Sequence, residues 1–241
     1  MHNLHILIAL LKRLRGPQGC TWDQRQTLQS LLPRLIEECY EVTEAFNEHP
    51  QDLCEELGDL LFVLLSCIDI APDISLQNVC RGVTQKMIDR HPHLFQVAAP
   101  PKSWEKQKKR SSLLEGIPQN LPALLYAHRQ AQKAASVGFD WPTITGVVEK
   151  IEEELKELKE ALALQDAVHI EHELGDLLMA TSNLGRKLNL SAELALKKAT
   201  QRFAKRFRLM EQTSLRDLDT CSLEELERLW IRAKKDSEEG M

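Results

Sequence analysis

Apolar residues recur at spacings of three and four along most of the chain, the pattern of amphipathic helices rather than strands. It predicts helices over 3–15, 25–48, 51–71, 75–90, 121–136, 143–164, 166–188, 191–212 and 222–235. Several ends are punctuated. Pro50 or Asp52 opens one helix and Pro72 follows another, while Ser191 and Ser222 stand as N-caps with a Glu two or three residues on. The most apolar stretch, LLFVLLSCIDIA over 60–71, reads as a core helix, because a membrane span needs about 18 apolar residues in a row. At the start, the run from Ile6 to Leu11 precedes Lys12, Arg13 and Arg15, the reverse of a secretory leader, so it reads as an amphipathic first helix.

Between His91 and Pro122 the rhythm breaks. Pro92, Pro100, Pro101, Pro118 and Pro122 share this interval with the basic cluster Lys106, Lys108, Lys109 and Arg110, which marks a linker with room for one short helix. On either side the chain repeats itself. LIEECYEVTEA (35–45) returns as IEEELKELKEA (151–161), CEELGDLLFVL (54–64) as EHELGDLLMAT (171–181), and VTQKMIDR (83–90) as ATQRFAKR (199–206). The offsets are 116, 117 and 116 residues, so one inserted residue separates the copies. The expected architecture is all-α, a tandem of two helical domains of the four-helix-bundle type over 1–95 and 121–241, joined by a linker over 96–120.

Composition sharpens this. Aromatics are 5% of the 241 residues and Gly and Pro number ten each, too few for a turn-rich sandwich or barrel. A formal net charge of −5 argues against a protein that coats nucleic acid, so no nucleic-acid polymer is expected as partner. The six cysteines include no CxxC pair, and Cys39, Cys54, Cys67 and Cys80 fall inside helical patterns, where free Cys acts as a small hydrophobe. A reduced, cytoplasmic protein without membrane attachment is expected.

Each copy contains ExxE followed by ExxD: Glu38, Glu41, Glu56 and Asp59 in the first, Glu154, Glu157, Glu173 and Asp176 in the second. Residues three apart share a helix face, and a short loop between the two helices packs them antiparallel, so all four carboxylates of a copy should converge. Asp59 and Asp176, between LG and LL, are expected beside the apolar seam. Converging carboxylates repel unless a cation neutralises them, and all-oxygen ligands suit Mg²⁺, with Mn²⁺ the alternative. Gly58 and Gly175 sit mid-helix, where a close helix approach or room for a ligand would justify them. Lys86 and Arg90, and in the second copy Lys198, Arg202 and Arg206, add a cationic helix suited to phosphate. His91 and His93 flank Pro92 and read as a structural turn. Trp22 and Trp141, each beside an Asp and ahead of a long helix, read as core anchors.

These residues resemble the MazG family of nucleoside triphosphate pyrophosphohydrolases, in the all-alpha NTP pyrophosphatase superfamily. The resemblance covers nearly the whole chain. It is carried by RLRGPQGCTWDQRQT (13–27), EECYEVTEA (37–45), EELGDLL (55–61), RHPHLF (90–95), SLLEGIPQNLPALLYAHRQAQKAASVGFDW (112–141), the second carboxylate set, RFAKRF (202–207) and Trp230. It implies a Mg²⁺-dependent, ATP-binding hydrolase that cuts NTPs and dNTPs between the α and β phosphates, giving nucleoside monophosphate and pyrophosphate. It also implies catalysis in the C-terminal domain. Carried onto this chain, the metal ligands are Glu154, Glu157, Glu173 and Asp176, with Glu38, Glu41, Glu56 and Asp59 as a second candidate site. The nucleotide lies along Lys150 to Glu154 and Lys198 to Arg202, with Arg206 and Lys234 near phosphate and Trp230 at the base or sugar. Glu153 or a ligand carboxylate positions the water. This sequence departs from the family at His172, where a second Glu is common, and at Thr200, where Asn is common. A homodimer is expected, since each half has few helices to cover its ligand-bearing pair. The rival readings are a non-hydrolytic nucleotide- or metal-binding regulator, or a relative restricted to one nucleotide such as dUTP or dCTP.

Overall fold

The structure, a computed structural model, describes residues 2–95 and 112–239, and every regular element among them is helical. The basic cluster at 106–110 and Trp104 lie outside the described residues. The chain divides into two compact units, Met1–Trp104 and Glu105–Met241. The first holds α1 (His2–Arg15), α2 (Thr21–Arg25), α3 (Leu28–Glu48), α4 (Leu53–Ile70), α5 (Leu76–Arg90) and α6 (Pro92–Phe95). The second holds α7 (Ala123–Ala135), α8 (Ile144–Leu164), α9 (Ala167–Lys187), α10 (Ala192–Thr213), a 3-10 turn (Leu218–Thr220) and α11 (Leu223–Glu239).

Both units are built on a hairpin of two long helices, α3–α4 and α8–α9, and both first helices start in the same way. Thr27 precedes α3 in extended backbone and its hydroxyl accepts from the N–H of Ser30, whose own hydroxyl returns the contact to the Thr27 N–H. Thr143, 116 residues on, caps α8 by accepting from the N–H of Gly146. The helical pattern expected to run unbroken from 25 is therefore split. The Thr27 cap ends one helix and starts another, and residues 21–25 form the separate α2. The capping energy, about 1 kcal/mol, decides the boundary that apolar spacing alone leaves open. Ser191 and Ser222 cap α10 and α11 as expected, Ser222 through a reciprocal contact with Glu225. Asp52 precedes α4 without a side-chain cap.

In the first unit Leu11 of α1 joins Leu31, Ala45, Val63 and Leu65 in the core. In the second, Val147 and Ser182 are fully buried, and the Ser182 hydroxyl donates to the carbonyl of Leu124 at 2.8 Å, which joins α9 to α7. Residues 112–120, in the interval expected as linker, are held against α7. The buried Lys133 ammonium donates to the carbonyls of Leu113 (2.9 Å) and Glu115 (2.7 Å), and Ile117 is buried. The α8–α9 turn needs only Gln165, left-handed at φ 54°, and Asp166, whose carboxylate accepts from the N–H groups of Val168 and His169. His91 closes α5, its Nδ1 2.8 Å from the Met87 carbonyl, as a structural turn does. Trp22 and Trp141 are not core anchors. Trp22 is 52% exposed beneath the Arg34 guanidinium, and Trp141 is 37% exposed. An Asp–Trp pair ahead of a helix identifies a bend, and the side chain's neighbours come from elsewhere in the chain. All six cysteines are free thiols; Cys67 is half-buried and its thiol is pushed up by burial, while Cys39, Cys54 and Cys80 are exposed on their helices.

Asp140 ties the segment ahead of α8 to the end of α9, accepting from Arg186 at 2.5 Å and Lys187 at 3.1 Å. Burial alone would raise its pKa, but the hydrogen bonds from Lys187 and Arg186 outweigh it and hold the carboxyl below 3.8. A carboxylate depressed on folding contributes stability that is complete above the unfolded pKa and is lost as pH falls through the folded one. Asp140→Asn is expected to lower the stability of the second unit by about 2 kcal/mol near neutral pH. The deficit should shrink as the pH of urea unfolding experiments is taken below about 4.

Candidate metal centre

The second hairpin turns one face of α8 toward one face of α9. Glu154 and Glu157, three apart on α8, and Glu173 on α9 each offer an oxygen within 4.8 Å of the others. A second trio shares Glu173: His172 Nδ1, Glu173 and Asp176 also lie within 4.8 Å. The four expected ligands thus form two overlapping groups joined through Glu173, not one cluster. Glu154 and Glu173 are buried, Glu157 and Asp176 half-buried and His172 exposed. In the first unit Glu38, Glu56 and Asp59, the counterparts of Glu154, Glu173 and Asp176, make a trio from which Glu41 is missing, and Asp59 is exposed instead of lying at the seam.

Lys150 partly offsets the charge, and two imidazoles lie against the carboxylates. Lys150, one turn before Glu154, donates to its Oε1 at 2.7 Å and to Glu153 at 3.0 Å; those two hydrogen bonds raise the Lys150 pKa, so the ammonium stays charged. His169 Nε2 lies 2.8 Å from Glu173 Oε1, and His172 Nδ1 lies 3.4 Å from the same oxygen and 3.3 Å from Asp176 Oδ2. Desolvation and then the charges of Glu173 and Glu154 push the Glu157 pKa up. The donor set is therefore oxygen-dominated and under electrostatic strain without a cation, which fits a hard divalent ion such as Mg²⁺ or Mn²⁺. Gly58 and Gly175 face open space, since an added Cβ meets nothing within 4 Å among the described residues, so no close helix approach among them requires these glycines.

Beside this cluster a cavity of about 380 Å³ opens, and Lys150, Glu154 and Asp176 form its charged rim. Its walls are apolar: Leu114, Phe139, Trp141, Val147, Met179 and Ala180. Gln130, Asp140 and Asn183 also line it, and of these Asn183 is buried. Its Oδ1 accepts from Arg186 Nε at 2.7 Å, and a guanidinium can only donate, so the amide orientation is set with the NH₂ left to donate elsewhere. Arg186 is itself held by Asp140. Asn183 and the aromatic wall escape a reading based on charged motifs. The available signal was a polar residue seven after Asp176, two turns along the same buried helix face.

Lys150, Glu153, Glu154, Glu157, Glu173 and Asp176 are brought together. Lys198, Arg202, Arg206, Trp230 and Lys234 lie on α10 and α11, outside the cavity lining. Trp230 packs against Phe203 with ring centroids 5.2 Å apart, and Arg206 Nε donates to Ser237 Oγ at 3.2 Å.

Comparison with known proteins identifies the family. The family described as "MazG nucleotide pyrophosphohydrolase domain" matches residues 26–95 and 143–209, one match in each unit. The chain is 44% identical over 243 residues to a nucleoside triphosphate pyrophosphohydrolase/pyrophosphatase of Thermotoga maritima, covering 95% of this chain and 94% of that protein. It is 37% identical over 258 residues to a nucleoside triphosphate pyrophosphohydrolase of Escherichia coli K12, covering 98% of each. It is also 37% identical to the uncharacterized protein YabN of Bacillus subtilis, covering 97% of this chain and 52% of that protein.

Because Glu173 belongs to both trios while Glu153 belongs to neither, the two substitutions should separate. Saturating Mg²⁺, at about 100 times its dissociation constant, is expected to stabilise the second unit by about 2.7 kcal/mol. Glu173→Gln should remove that gain in a thermal unfolding scan and Glu153→Gln should keep it.

Proposed function

The chain belongs to the MazG nucleotide pyrophosphohydrolase family, and from that premise we propose that its second unit hydrolyses nucleoside triphosphates, ribo and deoxy, between the α and β phosphates. The products are nucleoside monophosphate and pyrophosphate. One observation carries the reading: the carboxylate cluster and the apolar cavity share their boundary, so Lys150, Glu154 and Asp176 stand between a place for charge and a place for a base.

The nucleoside enters the cavity, where Phe139 and Trp141 supply flat apolar surface and the Asn183 NH₂ donates to a ring nitrogen or carbonyl of the base. The triphosphate is left at the rim, where Lys150 exchanges its carboxylate partners for phosphate oxygens. Glu154, Glu157, Glu173 and Asp176 are the residues to hold Mg²⁺, or Mn²⁺, which when bound neutralises phosphoryl charge and acidifies water. Water adds to the α phosphorus as the bond to the bridging oxygen breaks; pyrophosphate leaves and the proton passes to a carboxylate, Glu153 or one of the cluster. The cations of α10 and Lys234 extend the positive field for the leaving group, with Trp230 beside them.

A homodimer is part of the proposal. Leu174 and Leu178 on α9 are exposed, as are Leu57 and Leu61 at the same repeat positions on α4. Both hairpins leave one apolar face uncovered, and a second copy would complete a four-helix core around each.

Two experiments test this. Product analysis on a panel of NTPs and dNTPs with Mg²⁺ should yield monophosphate and pyrophosphate. Glu154→Gln should cost more than the roughly 100-fold typical of losing an outer partner of a metal ligand. Binding without turnover on every nucleotide would leave the regulator reading in place. Leu174→Glu with Leu178→Glu should convert a dimer to a monomer in light scattering; an unchanged mass would refute the helical interface.

A further inference from the structure

A lysine keeps its ammonium in water unless something in the interior satisfies it. Lys133 of α7 is only 6% exposed, and what satisfies it is main chain. Its ammonium donates to the carbonyl of Leu113 at 2.9 Å and to that of Glu115 at 2.7 Å. Both acceptors belong to a strap, residues 112–117, that has no helix of its own. Local contacts turn this strap. The Leu114 N–H donates to the Ser112 hydroxyl and the Glu115 N–H to the Ser112 carbonyl, each at 3.2 Å. Gly116 then takes left-handed backbone at φ 78°, which a residue with a Cβ resists. Ile117 is buried and pins the far end.

The two carbonyls that Lys133 holds flank Leu114, and Leu114 belongs to the apolar wall of the cavity beside the carboxylate cluster. α7 reaches the same cavity through Gln130, Ala131 and Ala134. Alanine side chains are short, so on the α7 side the larger apolar surface comes from the strap. Leu114 is 43% exposed, too open for packing to fix it, and the hydrogen bonds on either side of it do so instead. The charged rim of Lys150, Glu154 and Asp176 stands on α8 and α9, where the hairpin sets it. Clamp and rim therefore govern different parts of one site.

We propose that Lys133 is a positioning residue for nucleoside recognition: through the carbonyls of Leu113 and Glu115 its ammonium holds Leu114 in the cavity wall, and so sets affinity for the nucleoside and not for the phosphates. This rests on the cavity being the nucleoside site. The test is a double-mutant cycle on the full-length chain, with Lys133→Met, Leu114→Ala and both together. Titration calorimetry gives the dissociation constant of a non-hydrolysable nucleoside triphosphate with Mg²⁺, and inorganic tripolyphosphate, which carries phosphates alone, is titrated in parallel. Each single substitution should weaken nucleotide binding on the order of tenfold, the worth of one leucine's apolar contact, and leave tripolyphosphate binding unchanged. The double substitution should bind no more weakly than Lys133→Met, because a wall residue already released has no contact left to lose. A merely structural role would weaken both ligands. Methionine keeps the apolar stem of Lys133, and Leu114, open to solvent, provides the variant that spares the core. A wild-type chain that binds the nucleotide no tighter than tripolyphosphate would remove the nucleoside reading of the cavity and the proposal with it. Wild-type preference for the nucleotide, with Lys133→Met unaffected or with additive losses in the cycle, would overturn the proposal and leave that reading standing. An indifferent Leu114→Ala would do the same whatever Lys133→Met shows.

Discussion

Like charges held against an apolar seam set the terms for the rest of this molecule. Glu154 and Glu173 are buried on facing helices with Glu157 beside them. Such an arrangement persists only if every available cation is recruited or an ion is bound. The protein places Lys150 from the preceding turn of α8 as a cation, and the imidazoles of His169 and His172 from α9 within hydrogen-bonding reach of Glu173. All of these come from the same two helices, so the site is a property of one hairpin. The other helices serve to hold that hairpin in place and to shape the space next to it.

That space is where the two halves diverge. The hairpins share the threonine cap of their first helix, their helical register and an acidic cluster. The cavity is sensitive to a few side chains, because a wall is made by whatever reaches across it. Phe62 for Met179, Ser66 for Asn183, and an anchored Arg15 suffice to reduce it from about 380 to about 80 Å³. An acidic cluster is thus present in both units, and a large cavity beside it only in the second among the described residues.

Membership of the MazG family is shown by a match in each unit. Beside the acidic cluster of α8 and α9, Asp140, Arg186 and Asn183 form a second chain of polar contacts. The carboxylate holds the guanidinium, the guanidinium donates to the amide oxygen, and Asn183 lines the cavity. A chain of charge-assisted contacts replaces loop flexibility with a set geometry, as a recognition group requires.

Local pattern alone determined the helices, the duplication and the acidic faces, because each depends on residues within a turn or a short loop of one another. Apolar spacing put the α8 and α9 boundaries within a residue or so, and ExxE with ExxD named Glu154, Glu157, Glu173 and Asp176. The same reasoning missed the break at Thr27, where a hydroxyl overrides periodicity. It also placed Trp22 and Trp141 in a core they do not occupy. What the tertiary structure decided was everything that depends on side chains meeting from distant positions. Examples are the splitting of four carboxylates into two trios joined at Glu173, and the exclusion of Glu41 from the trio of the first unit. The volume beside each cluster belongs with them. Helical periodicity specifies the face a residue occupies; the distance across a hairpin and the filling of a cavity follow only from packing.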